Sequence, residues 1–162
     1  MQTLEGTQHA PGMRFAIVVA RFNDFVTERL LGGALEALAA AGVAPEDVTV
    51  LRVPGSFEIP LAAQRVGETG HFNAVICLGC LIRGATPHFE FISVAVSQGL
   101  TQAAGAAGVP MSFGVLTTNS AEEALERAQP GPGNKGFEAA QAAIEMATLL
   151  AQMERNAMGT GA

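Results

Sequence analysis

Cys77 and Cys80, in AVICLGC, have the spacing of a redox or metal-binding pair, and His88 follows in the same stretch. Spacing alone does not make the chemistry. Along a strand, residues three apart face opposite sides, and their Cα atoms stand roughly 10 Å apart, beyond the reach of a disulfide. A redox pair instead opens a helix, whose N-terminus lowers the first thiol's pKa. Cys77 lies within an apolar run and reads as a small packed hydrophobe. Cys80 stands at the strand's expected end, where it can line a pocket without being reactive. Zinc is argued against by the scatter of His9, His71 and His88 and by the lack of a second ligand pair.

The downstream residues offer more. Gly84-Ala85-Thr86-Pro87 forms a corner before His88, which reads as the first turn of a helix. Free N–H groups at a helix N-terminus favour an anion, and an imidazole beside that anion suits proton transfer. The competing reading is an exposed histidine with no role. Arg83 can brace the loop and is read as structural. Arg127, just before PGPGNKG, and Lys135, near its end, can reach an anion if that break bends toward the corner, or else are solvated charges. Phe22 and Phe57 sit where strands end and can clamp a flat ring, with Glu58 as acceptor for ligand hydroxyls.

These positions need a scaffold that gathers strand ends. The expected strands are Phe15–Ala20, Val48–Val53, Ala74–Gly79 and Pro110–Leu116, separated by helices near 27–41, 57–70, 88–107, 120–128 and 137–154. Ser120 with Glu123 makes a capping box for the fourth helix, and the tail from Asn156 reads as frayed. Continuously apolar strands alternating with helices predict a parallel sheet covered on both faces, a flavodoxin-like three-layer α/β sandwich. Ligands in such sheets bind outside the carboxyl ends of the strands, here RFND, PGSFE, GCLIRGATPH and TTN.

Composition narrows the function classes. The 162 residues fit one domain, with a core over about 14–154 and flexible ends. Net charge is −6 with only 9 Lys and Arg, which argues against a nucleic-acid partner. The first residues have neither the basic nor the apolar region of a secretory signal, and no apolar run approaches a bilayer span, so a cytoplasmic protein is expected. Apolar residues make up 49% and charged ones 15%, an excess that suggests apolar surface kept for subunit contacts.

RFNDFVTERLL, VPGSFEIPLAA, LGCLIRGATPHFEF, FGVLTTNSAEEALERA and GNKG, in this order, resemble the lumazine synthase (6,7-dimethyl-8-ribityllumazine synthase) family from about Arg14 to Ala151. The resemblance implies condensation of 5-amino-6-(D-ribitylamino)uracil with 3,4-dihydroxy-2-butanone 4-phosphate, releasing phosphate and water, as the penultimate step of riboflavin biosynthesis. It implies no metal or organic cofactor. It places Phe22 and Asn23 at the ring, and Ser56, Phe57 and Glu58 along the ribityl chain. The backbone of Cys80, Leu81 and Ile82 would face the pyrimidine edge, with Phe113 as a second aromatic wall. Ala85, Thr86, Arg127 and Lys135 would bind phosphate, and His88 would transfer protons. It further implies a homo-oligomer with sites between adjacent subunits, a pentamer or twelve pentamers in a shell, in which the N-terminal segment joins the neighbour's sheet. Phe113, three residues before its strand's expected end and so about 10 Å below that rim, would then serve a neighbour's site. Cys80 stands where the family commonly has Thr or Ser, and RAQPGPGNKG exchanges a lysine for prolines at unchanged length.

Overall fold

The run FAIVVA joins one aromatic residue to β-branched and small ones and is unbroken by a polar residue, the composition of a strand covered on both faces. In a computed structural model, which describes residues 1–159, it forms β1 (Phe15–Ala20), buried along its whole length. β2 (Val48–Val53), β3 (Ala74–Ile82) and β4 (Met111–Thr118) complete a sheet in the order β2-β1-β3-β4, with every pairing parallel. Parallel neighbours need long crossovers, and these are the helices α1 (Asp24–Ala40), α2 (Ile59–Glu68) and α3 (His88–Ala107). A short α4 (Ala121–Arg127) and a long α5 (Lys135–Gly159) follow β4.

Strand alternation divides the core into two halves. Phe15, Ile17, Val19, Ile76, Leu78 and Cys80 face α1, α4 and α5. Ala16, Val18, Val75, Cys77 and Val115 face α2 and α3. The two cysteines therefore lie on opposite faces, as their spacing predicts. Cys80, however, is 1% exposed within the first cluster, so its side chain is core and not pocket lining.

That correction has a cause in register. β4 runs past Leu116 to Thr118, and its partner β3 follows it to Ile82 (Ile82 opposite Thr118). Against β1, β3 pairs only as far as Leu78. Beyond that point β3 keeps its β4 neighbour while its other edge is open toward the carboxyl rim.

The helices depart from expectation at their ends. α1 starts at Asp24 because Asn23 takes a left-handed conformation (φ 62, ψ 44), which turns the chain sharply out of β1. Asn pays little for this, since its short amide bonds locally; here Nδ2 donates to the Cys80 carbonyl at 2.9 Å. Ser56–Glu58 is a 3-10 turn leading into α2, with Pro60 tolerated in the first helical turn. The α4 capping box forms by half. Ser120 Oγ accepts from the Glu123 N–H at 3.1 Å, while the Glu123 carboxylate reaches the N–H of Asn119 at 2.8 Å, one residue beyond the expected partner. α5 continues helically to Gly159 through the tail expected to fray; residues 160–162 of that tail lie outside the described residues.

The N-terminal segment lies along α5 of its own chain. Thr7 N–H donates to Thr148 Oγ1 at 2.8 Å, Gln8 Nε2 to the Gln141 carbonyl at 2.9 Å, and Gln152 Nε2 to the Glu5 carbonyl at 2.6 Å. β4 is an edge strand, and its sequence MSFGVLTT carries no charge. No helix among the described residues is long and apolar enough to cross a membrane.

Candidate active site

The carboxyl ends of β1, β2 and β3 bring one group of expected residues together. Phe22 is held where β1 ends, its N–H donating to the Pro54 carbonyl at 3.0 Å and that of Arg21 to Val53 at 2.8 Å. These bonds tie the β1 exit to the β2 exit, so the segments carrying Phe22 and Phe57 are mutually fixed. Both rings stand out into solvent, at 68% and 62% exposure. Exposed aromatics on a braced rim are surfaces for a flat ligand.

Ser56 behaves differently from its neighbour. It is buried, and its hydroxyl packs over Gly79 of β3, where an added Cβ would come within 2.5 Å of Oγ. Gly79 thus lets the Ser56–Glu58 turn settle directly onto the sheet and presents Glu58 half-buried beside Gly55. Cys80, Leu81 and Ile82 form the last residues of β3, in the stretch that has outrun β1. One of their backbone acceptors, the Cys80 carbonyl, is engaged by Asn23.

Past Ile82 the chain turns through an exposed corner, Gly84–Pro87, into α3. The helix has no side-chain cap and Pro87 stands at its cap position. The N–H groups of His88, Phe89 and Glu90 therefore begin a 20-residue helix with no carbonyl one turn earlier to bond. Ala85, Thr86 and His88 are exposed around that positive end. Arg83 braces the corner as expected. Its N–H donates to the Thr118 carbonyl at 2.8 Å, its Nε to Asn119 Oδ1 at 2.9 Å, and its guanidinium pairs with Glu90 and lies 4.6 Å over the Phe89 ring.

Phe113, Arg127 and Lys135 gather elsewhere. They line a cavity of about 780 Å³ along the open edge of β4, between Ala104 of α3 and Met146 of α5. Phe113 stands opposite Cys77 in the ladder, five residues before the end of β4 and not three, because the strand runs to Thr118. It lies roughly 17 Å below its own rim at the strand rise per residue. Arg127 ends α4, with Nη1 donating to the Glu123 carbonyl at 3.0 Å. Lys135 begins α5 and pairs with Glu138 at 2.8 Å. Glu138 also lines this cavity and was missed by sequence reasoning, although its i, i+3 spacing from Lys135 was a signal for it.

The two thiols are chemically quiet. Burial pushes the Cys77 thiol up to about 12 and the Cys80 thiol up to about 11, since desolvation opposes the thiolate. No group of three or more His, Cys, Asp or Glu among the described residues could hold a metal ion. A family described as 6,7-dimethyl-8-ribityllumazine synthase matches residues 12–151. A 6,7-dimethyl-8-ribityllumazine synthase of Syntrophus aciditrophicus is 54% identical over 149 residues, 92% of this chain and 97% of that protein. One of Desulfatibacillum aliphaticivorans is 50% identical over 151 residues, 93% of this chain and 97% of its own. With the sheet order and the rim as described, the chain belongs to the 6,7-dimethyl-8-ribityllumazine synthase family.

Proposed function

We propose that the chain condenses 5-amino-6-(D-ribitylamino)uracil with 3,4-dihydroxy-2-butanone 4-phosphate to give 6,7-dimethyl-8-ribityllumazine, phosphate and water. The observation that carries this reading, beyond family membership, is the shared rim. Two exposed aromatic rings, a buried serine beside a glutamate and an uncapped helix N-terminus stand around the ends of three adjacent strands. A flat heterocycle with a hydroxylated tail and an anionic second substrate match those parts.

In this reading Phe22 and Phe57 hold the ring, with Asn23 fixing the loop, and Ser56 and Glu58 meet the ribityl hydroxyls. The backbone of Cys80, Leu81 and Ile82 meets the pyrimidine edge. The phosphate lies at Ala85 and Thr86 against the α3 N-terminus. The 5-amino group attacks the ketone and a first water leaves to form an imine, phosphate leaves by elimination, and the enol swings round for ring closure with loss of a second water. Each step moves a proton, which His88 at the mouth of α3 handles. Much of the rate comes from holding two intrinsically reactive partners together.

The separation of Phe113, Arg127 and Lys135 from this rim supports a site completed between subunits, in which a neighbour's cavity supplies the second aromatic wall and two cations. An uncharged, open β4 edge supports the same reading, as a place where a neighbouring chain can add to the sheet. An N-terminal segment doing so would first have to leave α5 of its own chain, which Glu5, Thr7 and Gln8 contact. We read the assembly as a pentamer or twelve pentamers in a shell, which light scattering separates, in a cytoplasmic single-domain protein.

The test is incubation with both substrates, scored by lumazine fluorescence and by released phosphate. His88→Ala should lose only part of the activity, on the order of 100-fold in kcat, the low end of what a positioned acid–base group contributes. Arg127→Ala should raise KM for the phosphate substrate about tenfold, the value of one charge-assisted hydrogen bond. Absence of both products would overturn the enzymatic reading in favour of a flavin-binding shell. An unchanged KM in Arg127→Ala would remove that residue from the phosphate site.

A further inference from the structure

Asn134 has no place in the reaction as described, yet it is 1% exposed and its side chain uses every hydrogen-bonding position it has. Nδ2 donates to the Ala128 carbonyl at 3.0 Å and to the Arg29 carbonyl at 3.2 Å. Oδ1 accepts from the N–H groups of Gly136 at 2.8 Å and Phe137 at 3.1 Å. Its main chain takes part as well, the carbonyl accepting from Glu138 N–H at 3.0 Å. One amide therefore caps the start of α5, holds the residue after α4 and anchors both to the middle of α1.

The surroundings are shaped around it. A Cβ on Gly33 of α1 would come within 2.2 Å of Asn134 Oδ1, and one on Gly136 within 2.0 Å of the Leu30 carbonyl. Both glycines exist where α5 and its cap dock against α1 at backbone contact. The chain neighbours of the bonded groups are the two cations of the β4 cavity. Arg127 immediately precedes Ala128, and Lys135 immediately follows Asn134. Between them runs Gln129–Gly133, with two prolines and two glycines, which has no regular structure to set the distance from one cation to the other.

We propose that Asn134 is the positioning residue that sets Arg127 and Lys135 as a pair for one phosphate. This rests on the reading that these cations bind the phosphate substrate, and it adds a cause for their geometry. A carboxylate in place of the amide keeps both acceptor bonds to the α5 N-terminus but loses both donors and faces two carbonyl oxygens. The end of α4 is then released from α5 while the helix cap survives.

The experiment is steady-state kinetics on Asn134→Asp, Arg127→Ala and the double variant, with inhibition by inorganic phosphate as a binding readout. Asn134→Asp should raise KM for the butanone phosphate and weaken phosphate inhibition by about tenfold, with KM for the uracil within about twofold of the parent. The double variant should be no worse than Arg127→Ala alone, because both changes remove the same interaction. Gly33→Ala displaces the amide without altering the loop and should act in the same direction, so it decides the matter if Asn134→Asp does not fold. A folded Asn134→Asp that leaves phosphate saturation unchanged, beside an Arg127→Ala that raises it, would overturn the positioning role and leave the phosphate site standing. A uniform loss in kcat and both KM values would also overturn it, as the mark of a general folding defect. If Arg127→Ala itself had no effect, the phosphate reading would fall and this inference with it.

Discussion

Alkaline pH should weaken this protein through one buried thiol, and the effect can be sized. Cys77 sits fully buried between β3 and the α2–α3 layer, and burial lifts its pKa from 9.0 to about 12. The folded chain thus keeps its proton where the unfolded chain has lost it. A raised thiol pKa favours the folded state fully below about pH 9, and that advantage is lost as pH climbs toward about 12. At about pH 11 the unfolded form has gained roughly 2.5 kcal/mol from this residue, on the order of 1.4 kcal/mol per pH unit. Cys80 adds in the same direction. The background is unusually clean, since the chain has no Tyr and only one Lys to change charge in that range. Urea unfolding followed by far-ultraviolet circular dichroism, at fixed protein concentration between about pH 8 and 11, measures the slope. Cys77→Ala should be less stable at neutral pH, through its cavity, yet flatter with pH. Equal slopes in the parent and Cys77→Ala would refute the argument that desolvation of this thiol controls alkaline stability.

Other substitutions test the packing that places the site. Gly79→Ala drives a Cβ to within 2.5 Å of Ser56 Oγ, so the 3-10 turn must lift; KM for the uracil should rise several-fold, about 3- to 10-fold if one hydroxyl contact is lost. An unchanged KM would detach Ser56 from the ribityl chain. Gly136→Ala meets backbone, the Leu30 carbonyl at 2.0 Å, and should cost about 1–3 kcal/mol or more, read as a fall in Tm. Ser120→Ala removes the one side-chain cap bond of α4 to Glu123 N–H and should cost about 1 kcal/mol, checked by the same melt.

How far the sequence could be read depends on which interactions are local. β1 and β2 match their expected limits residue for residue: FAIVVA is an apolar run that ends at Arg21, and VTVLRV is a β-branched-rich stretch bounded by Asp47 and Pro54. α3 does too, set between Pro87 and Gly108, which takes φ 66 at its end. β3 and β4 outrun their expected limits because their last residues, Leu81-Ile82 and Thr117-Thr118, are paired to one another, and pairing across strands has no signature in either strand alone. The same error put the Cys80 side chain at the rim. The residues around the rim were legible from their types and from where strands end. Asn134 was not, since a buried Asn and a loop Asn read alike until α1 is known to lie against it.

The open edge of β4 also bears on how separate copies of the chain meet. Edge strands are usually guarded by a charge, a proline within the strand or a bulge. Here Met111–Thr118 presents a regular, neutral ladder edge beside a cavity lined by Phe113, Ala142 and Met146. A separate chain therefore carries an unpaired strand edge and apolar side chains side by side on its surface. Under the assembly proposed above, capture by a neighbour and aggregation both depend on encounters between chains, so the yield of active protein is set by competition between them. Slower synthesis at lower temperature should favour the ordered outcome.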